Sequence, residues 1–342
     1  MSSKKNKKVL AVIPNLNGGN DLVAAVKSLI NQSHPLDIMV VDNGSIDDSA
    51  TKVDDLFDDI HLIKNKTNMG FAAAVNQGFE YAVDNGYQYV AAFNNDAEAD
   101  INWLHELVRG LQKHPDAGIA CSKMLDAAKG CIDSAGEGYS VWGLPFPSGR
   151  GLSRSKFSEP LEVFAASGGA SLYRVSMLRT VGLFDEGFFA YYEDVDISFR
   201  AQLEGWKVRY IPAAIVHHQI GATSSKIKGF TTYQTMKNLQ LLWYKNVPSK
   251  FMYKTGWRFF VAHTLFLFRA ISRGQGISAI RGDLVGSWLL AKKRGERKKI
   301  QASKKVSDEY ICSIMTHDLP PNAKALRSLR RKWWKITGNK HI

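Results

Sequence analysis

The sequence predicts an α/β protein whose mostly parallel, Rossmann-like sheet is flanked by helices and followed by a basic helical extension. The first observation is an alternation over residues 9–120 between short apolar runs and stretches with apolar residues at helical spacing. The second is a change after residue 223 to longer helical patterns that mix aromatic and basic residues. Alternation of this kind is typical of βαβ units, whose strands pair in parallel.

The elements of the first part follow one another through short connections. Short apolar runs predict strands, and apolar residues that recur every three or four positions predict helices. We expect strands at 9–13, 38–41, 60–63 and 89–93, and helices at 20–32, 46–57, 71–83 and 101–113.

Residues 121–165 have a less regular pattern. Gly and Pro cluster at 136–151, which predicts a long loop that could cover a site. Regular patterns return with strands at 168–173 and 208–216, a helix at 195–203, and two long helices at 230–244 and 251–271. We therefore predict a disordered basic tail at 1–8, a main domain at 9–225 with halves 9–120 and 121–225, and a helical region at 226–342.

The composition is that of a globular protein with little cysteine. Hydrophobic residues make up 45% of the 342 residues, an ordinary share for this class. Cys121, Cys131 and Cys312 lack paired or metal-type spacing, which argues against a disulfide scaffold and fits a reducing compartment. The N-terminus is basic without the apolar segment of a secretory signal, so we expect a cytoplasmic location.

Positive charge is concentrated in the C-terminal third. Residues 245–342 contain 22 Lys or Arg against 5 Asp or Glu, a local charge of +17 in a chain whose net charge is +13. The longest apolar stretch there is broken by His263 and has about half the length that a membrane-spanning helix needs. We predict a helix that lies on an anionic membrane at its cytoplasmic face, supported by the tryptophan pair in 330–335 (RRKWWK). The alternative is a packing subdomain with a solvated basic face.

Three carboxylates follow a cluster of aromatic residues at 188–196. Glu193, Asp194 and Asp196 come directly after four aromatic residues in five positions. Acids next to so much apolar surface usually have a partner or a role, and a carboxylate at the edge of an aromatic pocket suits a general base for a sugar hydroxyl. The alternative is an acidic first turn that complements the helix dipole.

Polar side chains end two of the predicted strands. The strand at 89–93 ends in Asn94, Asn95 and Asp96, and the strand at 208–216 ends in His217 and His218. Strand ends are where open α/β sheets bind ligands, and oxygen ligands suit Mg²⁺ or Mn²⁺. Adjacent residues of a strand point to opposite faces, so only one histidine is expected to face the pocket. The alternative for the Asn-Asn-Asp segment is a turn.

Taken together, these segments resemble the inverting glycosyltransferases of family 2 with the GT-A fold, in the branch that includes bacterial rhamnosyl- and galactofuranosyltransferases. The resemblance runs from about residue 9 to 223. It is carried, in the family's order, by VIPNLN at 12–17, VVDNGS at 40–45, NMGFAAAVN at 68–76, NND at 94–96, GLFDE at 182–186, YEDVD at 192–196 and His218.

The resemblance implies roles for individual residues. It implies a nucleoside-diphosphate sugar donor, a dTDP- or UDP-sugar, and a Mn²⁺ or Mg²⁺ cofactor. The implied donor-binding residues are Pro14, Asn15, Asn17, Asp42, Asn43, Asn68, Gly70, Asn95 and Asp96; the metal ligands are Asp96, Asn94 and His218; the catalytic residues are Asp194, with Glu193 as the alternative base; and the acceptor-binding residues are Tyr192, Tyr191, Gly168, Gly169 and Trp142. For Asp42, a turn or helix cap remains the alternative.

The metal motif departs from the family in one position. Asn94 stands where the family usually has the first of two Asp, which predicts a weaker metal site in the absence of nucleotide. The expected acceptor is a lipid-linked or polysaccharide molecule in cell-surface glycan synthesis, with no specific nucleic acid and the oligomeric state open, a homo-oligomer included. Two other functions compete with this one. A sugar-phosphate nucleotidyltransferase is disfavoured because the turn after the first strand lacks Lys and Arg. A non-enzymatic nucleic-acid binder would leave the carboxylates unexplained.

Overall fold

The computed structural model describes residues 9–221, 227–321, 323 and 327–328. The tail predicted at 1–8 and the tryptophan pair of 330–335 lie outside the described residues. The predicted alternation of strands and helices over the first part is confirmed, with element ends within a few residues of those expected.

In chain order, the strands are β1 (Val9–Asn15), β2 (Asp37–Asp42), β3 (Ile60–Lys64), β4 (Tyr89–Phe93), β5 (Ala97–Ala99), β6 (Ala117–Asp126), β7 (Ile132–Ser134), β8 (Glu137–Tyr139), β9 (Pro145–Pro147), β10 (Leu161–Glu162), β11 (Ala170–Arg174) and β12 (Lys207–His218). The helices are α1 (Gly19–Ile30), α2 (Ser49–Leu56), α3 (Phe71–Asp84), α4 (Trp103–Lys113), α5 (Val175–Val181), α6 (Glu193–Leu203), α7 (Phe230–Asn246), α8 (Ser249–Ser272), α9 (Gly276–Lys292), α10 (Arg294–Ser303) and α11 (Asp308–Ile314).

The central sheet is mostly parallel, as predicted. Its strands lie in the order β10-β12-β6-β11-β4-β1-β2-β3. β4, β1, β2 and β3 are parallel to one another, and β12 is parallel to β6. β11 runs antiparallel to both β4 and β6, so it is the reversed strand in the middle of the sheet.

Helices cover both faces of this sheet because alternate residues of each strand point to opposite sides. On β1, Val9 and Ile13 belong to a core shared with α1 and α4, whereas Leu10 and Val12 belong to a core shared with α3, α5 and α6. These side chains are fully buried. Burial on both faces explains why the strands are continuous apolar runs in the sequence.

The region predicted to be irregular, 121–165, contains a long buried strand. All ten residues of β6 are buried, and β6 is the strand on which β12, β11 and β7 pair. This buried strand was not predicted because Lys123 and Asp126 interrupt its apolar pattern. Lys123 is accommodated because its ammonium donates to the carbonyl of Lys156 at 2.9 Å. The prediction of irregular structure was therefore wrong for the first part of this region.

The C-terminal helices pack on the sheet-containing part and on one another. A third core joins α6, α7 and α8 to residues 139–144, with Phe199, Leu242 and Phe259 among its buried members. α9 lies along α7, where an added Cβ on Gly282 would stand 2.3 Å from the carbonyl oxygen of Tyr233. None of the helices in the described part of the chain has the length and apolar character needed to cross a bilayer.

Candidate active site

A cavity of about 610 Å³ lies at the carboxyl ends of β1, β2 and β4, between them and α6, α7 and the end of β12. Open α/β sheets bind ligands at this edge. Its lining includes these predicted residues: Pro14, Asn15, Asn43, Asn68, Gly70, Asn94, Asn95, Asp96, Gly168, Gly169, Tyr191, Tyr192, Glu193, Asp194 and His218. Three further predicted site residues are not among the described residues that line the cavity: Asn17, Asp42 and Trp142.

Asp42 does not line the cavity itself but holds the side chain of Asn15, which does. One Asp42 oxygen accepts from the side-chain amide of Asn15 at 2.8 Å and from the Ser45 hydroxyl at 2.5 Å, and the other accepts from the Ser45 N–H. The Asn15 oxygen in turn accepts from the amide of Asn95 at 2.9 Å. Asp42 is therefore the acceptor of a tight turn, which is the alternative that the sequence left open, and it orients Asn15 at the end of β1.

Asn17 closes the neighbouring turn. Its backbone is left-handed, with φ of 52°, and its side-chain oxygen accepts the Ile46 N–H at 2.8 Å. Its own N–H donates to the Ser45 hydroxyl at 2.9 Å. The turns after β1 and β2 are thus tied together, which fixes the polar edge that Pro14 and Asn15 present to the cavity.

Asn43, Asn68 and Gly70 form the next part of the wall. The Asn43 amide donates to the Asn68 side chain and to the Gly70 carbonyl, both at 3.0 Å. Gly70 has φ of 91°, and an added Cβ would stand 2.6 Å from the ring of Phe189. Because neither the backbone conformation nor the space admits a side chain, this position requires glycine.

His218 and Asp96 converge at the metal motif. Asp96 Oδ1 is buried without a hydrogen bond and lies 3.3 Å from His218 Nε2, while the Asn94 amide lies 3.2 Å from the same nitrogen. A buried carboxylate oxygen without a donor next to an imidazole nitrogen fits a divalent cation. No group of three His, Cys, Asp or Glu placed to hold a metal ion occurs among the described residues.

Asp133 contacts His218 and was not singled out from the sequence. His218 Nδ1 lies 2.8 Å from Asp133 Oδ2, the arrangement that commonly orients a metal-binding imidazole. Burial lowers the pKa of His218, but the hydrogen bond to Asp133 and the negative charge of Asp96 outweigh burial and raise the pKa to about 9. Asp133 belongs to β7, within the region 121–165 predicted to be irregular, and no pattern in the sequence indicated it.

His217 is excluded from the cavity by strand alternation. It points to the other side of β12, where its Nε2 lies 3.3 Å from Asp100 Oδ1. The expectation that one histidine faces the pocket is fulfilled by His218.

Asp194 lies at the cavity wall with both oxygens oriented by the backbone. Gly168 N–H donates to Oδ2 and Val195 N–H donates to Oδ1, each at 2.7 Å. Burial raises the pKa of Asp194 in spite of these hydrogen bonds. A carboxylate with a raised pKa at the first turn of α6, fixed by two donors, has the properties of a general base.

Glu193 and Glu137 lie near Asp194 and make this wall a cluster of three carboxyl groups. Glu193 is buried, its Oε2 has no hydrogen-bond partner, and burial together with the Asp194 charge raises its pKa well above the usual range. Glu137 lines the cavity too, and burial with the Asp194 charge raises its pKa to about 8. Burial therefore raises the pKa of all three carboxyl groups of this wall. Glu137 was not found from the sequence.

Asp196 does not face the cavity. It is fully buried and accepts from Arg200 Nε at 2.8 Å and from Lys245 Nζ at 2.9 Å. It joins α6 to α7 through Lys245.

The aromatic segment before α6 is strained. Phe189, Tyr191 and Tyr192 have φ of 65°, 72° and 72°, values that are unusual for residues other than glycine. Asn238 and Lys237 of α7 donate to the carbonyls of this segment: Asn238 to Phe188, Ala190 and Tyr191, and Lys237 to Gly187 and Phe188. Strained backbone of this kind persists where surrounding contacts determine it and is concentrated at functional sites. The only sequence signal for these partners is a Lys-Asn pair inside an apolar helical run.

Trp142 lies at the C-terminal helices. Its ring centre is 5.8 Å from that of Trp257, and the Arg258 guanidinium is 5.8 Å from its ring. The structure thus places Trp142 against α8 and outside the lining of the cavity, because residues 139–144 pack on that helix.

Comparison with known proteins identifies the class. The family model described as glycosyl transferase family 2 matches residues 10–182, just over half of the chain. The chain therefore belongs to glycosyl transferase family 2 and is a glycosyltransferase. A curated relative from Mycobacterium tuberculosis, N-acetylglucosaminyl-diphospho-decaprenol L-rhamnosyltransferase, is 29% identical over 210 residues, which cover 55% of this chain and 68% of that protein.

Solved structures agree on the fold. Residues 1–349 of S. aureus TarS in complex with UDP-GlcNAc superpose with a TM-score of 0.54 at 16% identity, covering 86% of this chain and 91% of that one. The mannosyltransferase PcManGT from Pyrobaculum calidifontis in complex with GDP-Man and Mn²⁺ gives 0.53 at 14% identity, covering 88% and 86%. The predicted GT-A fold is confirmed by these likenesses.

Proposed function

We propose that this glycosyltransferase moves rhamnose or a similar sugar from a nucleoside-diphosphate sugar to a hydroxyl of a lipid-linked or polysaccharide acceptor, with inversion. The observation that carries the proposal is the placement of Asp194 in one cavity with a polar edge at β1 and β2 and the Asp96–His218 pair. The likeness to a rhamnosyltransferase whose name specifies N-acetylglucosaminyl-diphospho-decaprenol supports rhamnose as the transferred sugar and a lipid-linked acceptor. The family resemblance favours dTDP-rhamnose as the donor, with a UDP-sugar as second choice.

The donor would occupy the polar edge. Asn15, Asn43 and Asn68 present amide and carbonyl groups there, held in place by Asp42 and by the turns after β1 and β2. Asp96, His218 and Asn94 would hold a Mn²⁺ or Mg²⁺ ion. When bound, such an ion offsets the negative charge that develops on the departing nucleoside diphosphate.

Asp194 would accept the proton of the acceptor hydroxyl as its oxygen attacks the anomeric carbon. The two backbone donors hold the carboxylate in a fixed orientation, and the raised pKa makes it a stronger base than an exposed Asp. In a single displacement the C–O bond to the acceptor forms as the bond to the diphosphate breaks, so configuration inverts. No covalent nucleophile takes part in this scheme.

The test is a thermal-shift panel of UDP, dTDP, GDP and CDP, each with and without Mn²⁺. A ligand that binds only the folded state raises the melting temperature, so the nucleotide that stabilises most identifies the base of the donor. We expect dTDP with Mn²⁺ to give the largest shift. His218→Ala should lose the part of the shift that depends on Mn²⁺, whereas His217→Ala, its neighbour on the other face of β12, should keep it.

Absence of stabilisation by all four nucleotides in the parent protein would contradict the proposal. Stabilisation that is identical with and without Mn²⁺, and unchanged in His218→Ala, would retain the donor site but contradict the metal assignment.

A further inference from the structure

Large apolar side chains are exposed mainly on α8 and α9. Ten of the eighteen exposed large apolar residues in the described part of the chain belong to these two helices. We call the surface defined by six of them the outer face: Tyr253, Trp257, Phe260, Phe268, Leu284 and Trp288. Their exposed fractions lie between 50% and 91%. An apolar surface of this size on a folded protein usually contacts a partner.

These residues share one side of each helix. Tyr253, Trp257, Phe260 and Phe268 recur at the spacing that places residues on one side of α8, and Leu284 and Trp288 do so on α9. The opposite sides are buried. On α8, Phe259 stacks on Trp243 of α7 with ring centres 4.6 Å apart.

α9 is held to α7 by small residues. Added Cβ atoms on Gly282 and Gly286 would stand 2.3 Å and 2.8 Å from backbone carbonyl oxygens of α7. α9 therefore cannot turn its apolar side inward, because its inner side already fits α7 closely. The inner side of α8 is likewise occupied by the contact between Phe259 and Trp243. The outer face is fixed in its exposed position.

The charges around the outer face have one sign. From residue 249 to 292 the chain has seven Lys or Arg and a single acid, Asp283, which accepts from His263 and Gln240. Lys292 Nζ lies 3.7 Å from the ring centre of Trp288, and the Arg258 guanidinium lies 5.5 Å from that of Trp257. A second copy of this surface would bring like charges together, whereas anionic headgroups complement them.

We propose that the outer face of α8 and α9 is the surface with which this protein binds an anionic lipid bilayer. Aromatic and aliphatic side chains enter the boundary between headgroups and acyl chains, and the basic side chains contact the headgroups. The helices lie in the plane of the bilayer, since none of the described ones is suited to crossing it.

A groove lined by α7 and α8 adjoins the active-site cavity. Thr231 and Thr235 of α7 line the cavity and also a neighbouring groove of about 180 Å³, whose other side includes Phe266, Arg269 and Arg273. A lipid diphosphate with its chain in the bilayer would meet two cationic side chains there before its sugar reaches Asp194. This last step rests on the proposed function, but binding to lipid does not.

The test is flotation of the full-length protein with vesicles of phosphatidylcholine, with or without phosphatidylglycerol. We expect the parent protein to float with the anionic vesicles and to be released by high salt. The triple variant Phe260→Ser, Phe268→Ser and Leu284→Ser should lose binding by about tenfold or more, because it removes three inserting side chains. The matched control is Ile46→Ser, Leu56→Ser and Ile101→Ser, which are exposed residues of the first part of the chain.

A second pair of variants tests the charges. Arg269→Gln with Arg273→Gln should weaken binding to anionic vesicles, whereas Lys298→Gln with Lys299→Gln on α10, which remove the same charge outside the groove, should weaken it less. Melting temperatures and the nucleotide-induced shifts of all variants show whether the fold and donor site are retained.

Three results would overturn the proposal: no flotation of the parent protein, equal loss in the apolar variant and its control, or a dimer in solution that the apolar variant dissociates. The last would assign the outer face to a second copy. Each is distinguishable from failure of the proposed function, because nucleotide stabilisation is measured separately.

Discussion

Asn238 of α7 donates its side-chain amide to the backbone carbonyl of Tyr191 at 2.7 Å. The same nitrogen lies 3.0 Å and 2.8 Å from the carbonyls of Phe188 and Ala190. One side chain of the C-terminal helices therefore holds the strained segment that leads into α6 and Asp194.

Replacing Asn238 with Ala should destabilise the protein and the active site together. The change leaves buried carbonyls without a donor, which costs about 2–3 kcal/mol. Because the segment positions Asp194, we expect kcat to fall while nucleotide binding is largely retained. Thermal melting and steady-state kinetics measure both effects. Asn85→Ala, an exposed residue whose amide donates to the Tyr81 carbonyl, is the control and should change neither.

Asp194→Asn should abolish transfer. Loss of a general base typically lowers the rate by about 10²–10⁴-fold. Donor binding should persist, as measured by the nucleotide-induced thermal shift. Glu193→Gln is the matched comparison next to it: burial raises the pKa of Glu193, so the uncharged amide should cost less activity there than at Asp194. Turnover that is normal in Asp194→Asn and lost in Glu193→Gln would reverse the assignment.

Glu137→Gln should change how stability depends on pH. The pKa of Glu137 is raised from 4.5 to about 8 in the folded protein by burial and by the Asp194 charge. Its protonated form therefore stabilises the fold fully below the unfolded value, and this contribution is lost as pH rises through about 8. We expect the melting temperature of the variant to exceed that of the parent increasingly between pH 5 and pH 8. A difference that stays constant over this range contradicts the prediction.

Asn94→Asp should strengthen metal binding without nucleotide. The Asn94 amide lies 3.2 Å from His218 Nε2, so a carboxylate there adds negative charge directly beside Asp96 and His218. We expect Mn²⁺ affinity of the nucleotide-free protein, measured by calorimetric titration, to rise by about tenfold. Asn95→Asp adds the same charge where the side chain donates to Asn15, so it serves as the control. Tight Mn²⁺ binding by the parent protein alone would show that Asn94 does not limit the site.

Lys245→Met should be among the most destabilising single changes. Lys245 Nζ lies 2.6 Å from Asp185 Oδ2 and 2.9 Å from Asp196 Oδ2, and all three groups are largely buried. Burial alone would raise the pKa of Asp185, but the Lys245 charge outweighs burial and lowers it. Removing one partner of a buried pair costs about 3–5 kcal/mol. Chemical denaturation measures the loss, and Lys250→Met, whose partner Glu309 is exposed, should leave the unfolding midpoint unchanged.

The polar residues at the edge of the sheet could be predicted from the sequence. The carboxylates of β7 and β8 and the buried strand β6 could not. Asn94, Asp96 and His218 could be predicted because they end apolar strands, and strand ends meet at one edge. Glu137 and Asp133 could not, because β7 and β8 are three-residue strands in a region rich in glycine. β6 was missed because buried Lys123 and Asp126 interrupt its apolar pattern.

The role of α7 was also beyond the sequence. Asn238 and Lys237 act across about fifty positions of chain, and a polar pair within an apolar helix gives no indication of its partner. The left-handed conformations of Phe189, Tyr191 and Tyr192 were equally unforeseen, because aromatic residues have no preference for them. From the sequence, the rings of Tyr191 and Tyr192 were expected to contact the acceptor. The structure shows in addition that the backbone carbonyls of this segment are hydrogen-bonded by α7.

The contact between Asn238 and the 188–191 segment has a consequence for the order in which the enzyme is made. A ribosome completes β1 to β12 before it adds α7, so a nascent chain has the proposed donor-binding edge before it has the helix that holds the segment leading into Asp194. The chain is therefore expected to become able to transfer sugar late in synthesis, once Asn238, 47 positions after Tyr191, has emerged and folded back. A nascent or shortened chain that ends before α7 is expected to bind nucleotide sugar without consuming it.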